Sequence, residues 1–253
     1  MADPRSIECL PLPPLPDVRP CDDLAGMIAS AAPVDLAPGH VLVIAHKVVS
    51  KSEGRLRRLA DVEPRERAVR LAAEHRKDPR LVQAVLEECE ELLRARDGVF
   101  ICRTRHGLVC ANAGVDRSNV AVEDELVLLP EDPDASARRL RAGIEHALGV
   151  RPAVLISDSF GRAWRLGQTD VAIGAAGLVP LDAWRGRPDA YGRELRVTEI
   201  AVADAVAAAA DLARAKDSRE PAVLVRGLER YVTEGDGPGA AALRRPPEQD
   251  LFR

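Results

Sequence analysis

Three short segments of this chain carry residue types that handle phosphates and hard cations. The first, Ser50-Lys51-Ser52-Glu53-Gly54-Arg55, offers a hydroxyl, an ammonium, a flexible glycine and a guanidinium directly after an apolar run. Lysine meets phosphate as a point charge and arginine as a planar fork. The second, CANAGVDRSNV from Cys110 to Val120, sets Asn112, Gly114, Asp116, Ser118 and Asn119 behind an apolar stretch. Asp and Asn are hard oxygen ligands, and glycine permits tight backbone geometry. The third, ISDSFGRAWRLGQTD from Ile156 to Asp170, puts Asp158 and Ser159 at a strand exit, with Arg162 and Arg165 following. An acid at a strand end can hold a cation while arginines neutralise phosphate oxygens. Each segment also has a plain structural explanation: a solvated turn, an Asx-rich turn and a surface ion-pair loop. Trp164 reads equally as a packing residue.

Other chemistries lack their patterns. Neither G-x-x-x-x-G-K-S/T nor a G-x-G-x-x-G behind a strand occurs, so any triphosphate is held another way. No H-E-x-x-H and no nucleophile elbow is present. His46, inside an apolar run, reads as a satisfied core histidine, and His106, in a turn, is expected to face solvent. His40, His75 and His146 show no partner. Five cysteines without a CxxC argue against a disulfide framework or a structural zinc site, and fit reduced thiols in a cytoplasmic protein. The net charge of −4, with acids and bases interleaved, is a poor footprint for nucleic acid. No apolar run reaches the ~20 residues of a bilayer span, and the start has no basic-then-apolar signal. The expectation is a cytoplasmic protein with no nucleic-acid or membrane partner.

The elements that position these segments follow from periodicity. The proline-rich Cys9–Val18 is extended, an edge strand or loop. Asp22-Asp23 opens a short helix. The β-branched run Val41–Val49 predicts a buried strand. Glu63–Arg96 predicts helix, divided at Asp78-Pro79, with Leu81, Val85, Cys89 and Leu92 as its core stripe. From Gly98 the period changes to strands, with His106-Gly107 as a hairpin turn and Glu125–Pro130 as a further short strand. Asp134–Leu148 predicts an amphipathic helix closed by Gly149, and Arg151–Asp158 a buried strand. The small residues of Val171–Leu178 allow close backbone approach. Thr198 is placed as the cap of a long alanine-rich helix, and Pro221–Val225 as a last strand. The fold class is α+β: mixed, largely antiparallel sheets with flanking helices. A domain over 1–230 is followed by a Gly/Pro-rich tail, 231–253, expected to be loose.

HKVVSKSEGR, HGLVCANAGVDRSNV and ISDSFGRAWRLGQTDVAIGAAGL, in that order, resemble the coenzyme F420-0:L-glutamate ligase family, also called gamma-glutamyl ligase. The resemblance runs from about Leu10 to Leu228. It implies GTP-dependent joining of L-glutamate to the carboxylate of coenzyme F420-0, then γ-linked additions, in coenzyme F420 biosynthesis. It further implies two divalent cations, Mg2+ or Mn2+, with K+ assisting, and an intertwined homodimer with a fold of the family's own. The chain resembles the form without a C-terminal nitroreductase-like domain.

By motif, the resemblance sets Asp116 and Asp158 as metal ligands and Ser159 at a second metal. Asn119, Ser50, Lys51 and Arg55 fall at nucleotide contacts, as does the segment Leu15, Pro16, Asp17 and Val18. The family's glycine-containing, often acidic loop corresponds to Ala213–Glu220, which has no glycine. Arg214, Lys216 and Asp217 take its nucleotide-contact positions, and Asp217 or Glu220 is the candidate ligand of the second metal. Asp116, Asp158 and Lys51 are the expected catalytic groups, stabilising charge during phosphoryl transfer. A ligase acting on another acceptor, a noncatalytic deazaflavin carrier and a metallophosphatase are the competing functions.

Overall fold

The computed structural model describes residues 6–118 and 124–250. In chain order its strands and helices are β1 (Glu8–Pro11), α1 (Leu24–Ala31), β2 (Val41–Ala45), α2 (His46–Ser52), β3 (Leu56–Arg58), α3 (Glu66–His75), α4 (Pro79–Glu88), β4 (Cys89–Arg96), β5 (Val99–Thr104), β6 (Val109–Ala111), β7 (Glu125–Val127), α5 (Pro133–Leu148), β8 (Ala153–Arg162), β9 (Arg165–Ala176), β10 (Leu181–Ala183), β11 (Glu199–Ala201), α6 (Val202–Ala213) and β12 (Ala222–Arg226).

The main sheet has the order β1-β12-β2-β8-β9. Its β2–β8 pairing is parallel and the others antiparallel. Side chains alternate across it, as the two-residue period of a strand requires. Leu42, Ile44, Val154, Ile156 and Leu224 face α1 and α5, packing on Ile28, Leu140 and Ile144. Val41, Val43, Leu155, Val223 and Val225 face α6, packing on Val206, Ala207 and Ala210. A sheet covered on both faces explains why its strands read as unbroken apolar runs. Close approach is needed where α5 meets β9: a Cβ on Gly174 would collide with the Pro133 carbonyl oxygen. A third core, with Leu59, Val82, Val85, Phe100 and Leu126, lies under the sheets β4-β5-β6 and β3-β7. The class is therefore mixed α+β with largely antiparallel sheets.

Several expectations need correction. The run Val41–Val49 is not one strand: β2 ends at Ala45 and α2 begins at His46. His46, Val49 and Ser50 are its buried residues, spaced for a helix, so packing overrides the β-preference of Val48 and Val49. Helix α4 stops at Glu88, and Cys89–Arg96 is strand β4, paired with β5 through bulges. The turn between them is Asp97-Gly98, both at positive φ, the signature of a tight hairpin. Cys89 and Leu92 therefore belong to a strand. Thr198 caps nothing: Glu199–Ala201 pairs with β10, and α6 starts at Val202. The strand predicted to end at Asp158 continues to Arg162 and hairpins into β9, so Ser159 sits on a strand. His106 is buried, with Nε2 3.0 Å from the Glu131 carbonyl oxygen and Nδ1 3.3 Å from Thr104 Oγ1.

The tail is also tied down where looseness was expected. Arg141, 1% exposed, donates to the carbonyls of Thr233, Glu234 and Gly235 and to the Asp236 carboxylate. Asp134 accepts the amides of Ala240 and Ala241.

Other readings hold. Asp23 caps α1, β1 is an edge strand, and Gly149 ends α5 at φ 69°. No helix among the described residues is long and apolar enough to cross a membrane.

Candidate active site

The site gathers where β2 ends, midway along β8, and at the start of α2. These parallel neighbours reach Ala45 and Ser157 in register, so the residues that follow, His46 and Asp158, emerge side by side. His46 Nε2 lies 3.2 Å from Asp158 Oδ1, and the Ser159 amide donates to the same oxygen at 2.8 Å. The described contacts of Asp158 thus fall on Oδ1. Burial pushes its pKa up, but the His46 charge and hydrogen bond and the Ser159 amide outweigh that and hold it below the usual carboxylate range. A β-bulge between Ile156 and Ser157 interrupts the pairing just before it, a common device for re-aiming side chains.

Asp116 is set by a reciprocal backbone bridge to Val127, the last residue of β7. Lys47 Nζ approaches its Oδ2 at 2.6 Å, and Ser118 donates its amide to Oδ1 and its hydroxyl to Oδ2. Burial again raises the pKa, and the Lys47 and Ser118 contacts bring it below the ordinary value. Lys47 also lowers Asp158 electrostatically, so one ammonium serves both acids.

The opposite face of β8 carries a separate network. Ser157 and Ser159 point there because strand side chains alternate. Their hydroxyls donate to the two oxygens of buried Asp170, at 2.7 and 2.6 Å. Arg214, just past α6, binds Asp170 Oδ2 at 2.5 Å. Lys216 lies 3.0 Å from Ser159 Oγ, 3.7 Å from Asp170 and 2.6 Å from Asp211.

The remaining candidates distribute unevenly. Leu15 and Val18 are buried in the core under α1, while Pro16 and Asp17 are exposed. The Leu15 amide bonds the Arg219 carbonyl, and Asp17 lies 3.4 Å from Lys51 Nζ, so this segment, α2 and the loop after α6 meet at one edge. Ser50 is fully buried, its hydroxyl 3.4 Å from His46 Nδ1, so it steadies the histidine. Arg55 is engaged elsewhere, by Glu88, Glu131 and the Leu129 carbonyl. Asp217 is exposed in a turn and Glu220 half-buried beside β12. Asn119 lies outside the described residues. Arg162 and Arg165 ride the outer part of the β8–β9 hairpin.

Lys47, Asp170 and Asp211 were not singled out in the sequence, and His46 was read only as a core histidine. The spacing that would have found His46 and Lys47 is helical, and it was masked by reading residues 41–49 as a strand. Asp170 sat inside a quoted motif, but its pairing with Ser159 across β8 and β9 requires the hairpin register.

The chemistry open to this site is electrostatic. Burial pushes the Cys110 thiol, near Asp158, up to about 12, which leaves it protonated and unreactive. Among the described residues no three acidic, His or Cys side chains cluster as a metal cage. Two ionised carboxylates with the remainder of the coordination left to phosphates and water is how Mg2+ is commonly held, and Asp116 with Asp158 fits that pattern. Asp116 and Asp158 are thus two ionised acids served by the Lys47 ammonium, a residue set that could hold a cation.

The family described as F420-0:Gamma-glutamyl ligase matches residues 14–227. The chain is 46% identical over 245 residues to the coenzyme F420:L-glutamate ligase of Methanopyrus kandleri, covering 96% of each chain. It is 45% identical to that of Haloarcula marismortui, covering 94% of this chain and 93% of the relative. Identity to that of Methanothermobacter thermautotrophicus is 43%, covering 94% and 96%. The chain belongs to the F420-0:gamma-glutamyl ligase family.

Proposed function

We propose that the chain joins L-glutamate to the carboxylate of coenzyme F420-0 at the expense of GTP. The observation that carries this reading is identity of 43–46% to ligases of that name along almost the whole chain. Asp158, emerging beside His46 where β2 ends, and Asp116, held by Lys47, support it. Forming an amide from a carboxylate is uphill in water, so the acid must first be activated. The carboxylate oxygen attacks the γ-phosphorus of GTP, and GDP leaves. The glutamate nitrogen then attacks the acyl phosphate carbon, and phosphate and a proton leave.

Such transfers depend on positioning and charge neutralisation more than on a protein nucleophile. Asp116 and Asp158 would hold a divalent cation, Mg2+ or Mn2+, which would draw charge from the phosphate oxygens. Lys51, at the end of α2 facing Asp17, would meet phosphate as a point charge. His46 orients Asp158, and Lys47 holds Asp116 ionised. We extend the proposal to K+ as an activator and to a homodimer. The homodimer draws support from Trp164 and Leu166, 81% and 95% exposed at the hairpin tip, since exposed apolar side chains grouped together favour association.

The test is phosphate release from GTP in mixtures lacking one component at a time. Release should require coenzyme F420-0, glutamate and a divalent cation together. Release without glutamate at the full rate would indicate a phosphatase and overturn the reading.

A further inference from the structure

The resemblance sets a second divalent cation against Ser159, and the residues around Ser159 do not fit one. Both oxygens of Asp170 are consumed: Oδ1 accepts from Ser159, and Oδ2 from Ser157 and Arg214. The network holds two carboxylates, Asp170 and Asp211, balanced by two cationic side chains, Arg214 and Lys216. The place beside Ser159 Oγ is taken by the Lys216 ammonium, at 3.0 Å. Asp158 offers no help, because strand alternation turns it to the other face, toward His46. The two faces differ in charge accordingly. Asp116 and Asp158 face one lysine and the His46 imidazole, whereas the Ser159 network sets two full cations, Arg214 and Lys216, against two carboxylates.

We propose that Lys216 is a built-in cation that takes the place of a second divalent ion beside Ser159 and Asp170, so that this chain binds one divalent ion per active site. Its side chain is 67% exposed and anchored by Asp211 at 2.6 Å. It can therefore present its remaining donors to a phosphate oxygen while staying in place, as a fixed ammonium does in other phosphate sites. The ammonium cannot leave with product, so one charge of the site would be independent of the metal concentration in solution.

This inference rests on the proposed nucleotide and metal reading, and the test separates the two. Mn2+ binding is counted by electron paramagnetic resonance, titrating free Mn2+ against protein saturated with a nonhydrolysable GTP analogue. The unmodified chain should bind one Mn2+ per site. Lys216→Glu, which exchanges the ammonium for a hard oxygen ligand at an exposed position, should bind two, while Lys216→Arg should stay at one. Circular dichroism of each variant establishes that the fold is retained. Two ions in the unmodified chain, or one ion in Lys216→Glu, would overturn the proposal while leaving the nucleotide site standing. No bound Mn2+ in any form would overturn the metal reading itself, and this inference with it.

Discussion

His46 closes onto Asp158, Nε2 to Oδ1 at 3.2 Å, while its neighbour Lys47 closes onto Asp116 at 2.6 Å. Two consecutive residues at the start of α2 thus grip two acids that lie 42 positions apart in the sequence. The start of α2 is fixed in turn by β2, whose register against β8 sets where Asp158 emerges. Asp158 is thereby tied to the main sheet, and Asp116 to β7 through its bridge to Val127.

Asp158→Asn should remove one charge from the proposed cation site with little change in shape. Loss of one such electrostatic contribution costs about 2.7–4 kcal/mol in the barrier, or about 10²–10³ in turnover. Steady-state rates of phosphate release measure it, with circular dichroism establishing that the variant folds. Full activity in that variant would remove Asp158 from the chemistry.

Lys47→Met tests a residue that motif reading passed over. Without the ammonium, Asp116 loses its closest cation and its hydrogen bond, and its pKa should rise. The Mn2+ dissociation constant should then become more pH-dependent near pH 5 than in the unmodified chain. Identical dependence in the two proteins would show that Lys47 is a bystander.

Asp116 also links stability to pH. Burial raises its pKa and the Lys47 and Ser118 contacts lower it further than that, so the folded value lies below the unfolded value of about 3.9. A depressed pKa contributes stability that is present above the unfolded value and lost as pH falls through the folded one. In chelator-treated protein, Asp116→Asn should therefore be less stable than the unmodified chain at pH 7, and the gap should shrink below pH 4. Urea unfolding at both pH values measures this, and a gap that widens toward acid contradicts it.

The tail and the α5–β9 contact give structural predictions. Arg141→Ala leaves the Thr233, Glu234 and Gly235 carbonyls and Asp236 without their buried partner. The loss should be about 3–5 kcal/mol of stability, with new proteolytic cleavage beyond residue 231. Gly174→Ala drives a methyl into the Pro133 carbonyl and should cost about 1–3 kcal/mol. Chemical denaturation reads both; an unchanged midpoint in either variant would refute the packing described.

Much of the molecule was legible because its signals are local. Asp23, Gly149 and the apolar runs of β2, β8 and β12 announce their elements through capping, turn conformation and two-sided burial. Misreadings arose where local preference and tertiary context disagree. Cys89–Arg96 is rich in helix-forming Glu, Leu and Arg, yet pairing with β5 through the Asp97-Gly98 turn makes it a strand. Val48 and Val49 favour strand, yet α2 has to turn there to carry His46 and Lys47 to the acids. At the site, Asp116 and Asp158 could be chosen from their motifs, but their partners depend on register and on a hairpin that spacing alone does not encode. The tail looked loose from its Gly and Pro content, and only the buried Arg141 and Asp134 reveal its anchors.

The most direct measurement is mass spectrometry of coenzyme F420-0 after incubation with the protein, GTP, L-glutamate and Mg2+, beside a mixture without GTP. The expected result is a product heavier by whole glutamyl units in the complete mixture and unaltered coenzyme when GTP is withheld. An unaltered coenzyme in the complete mixture, or glutamylation that proceeds equally without GTP, would contradict the proposed function.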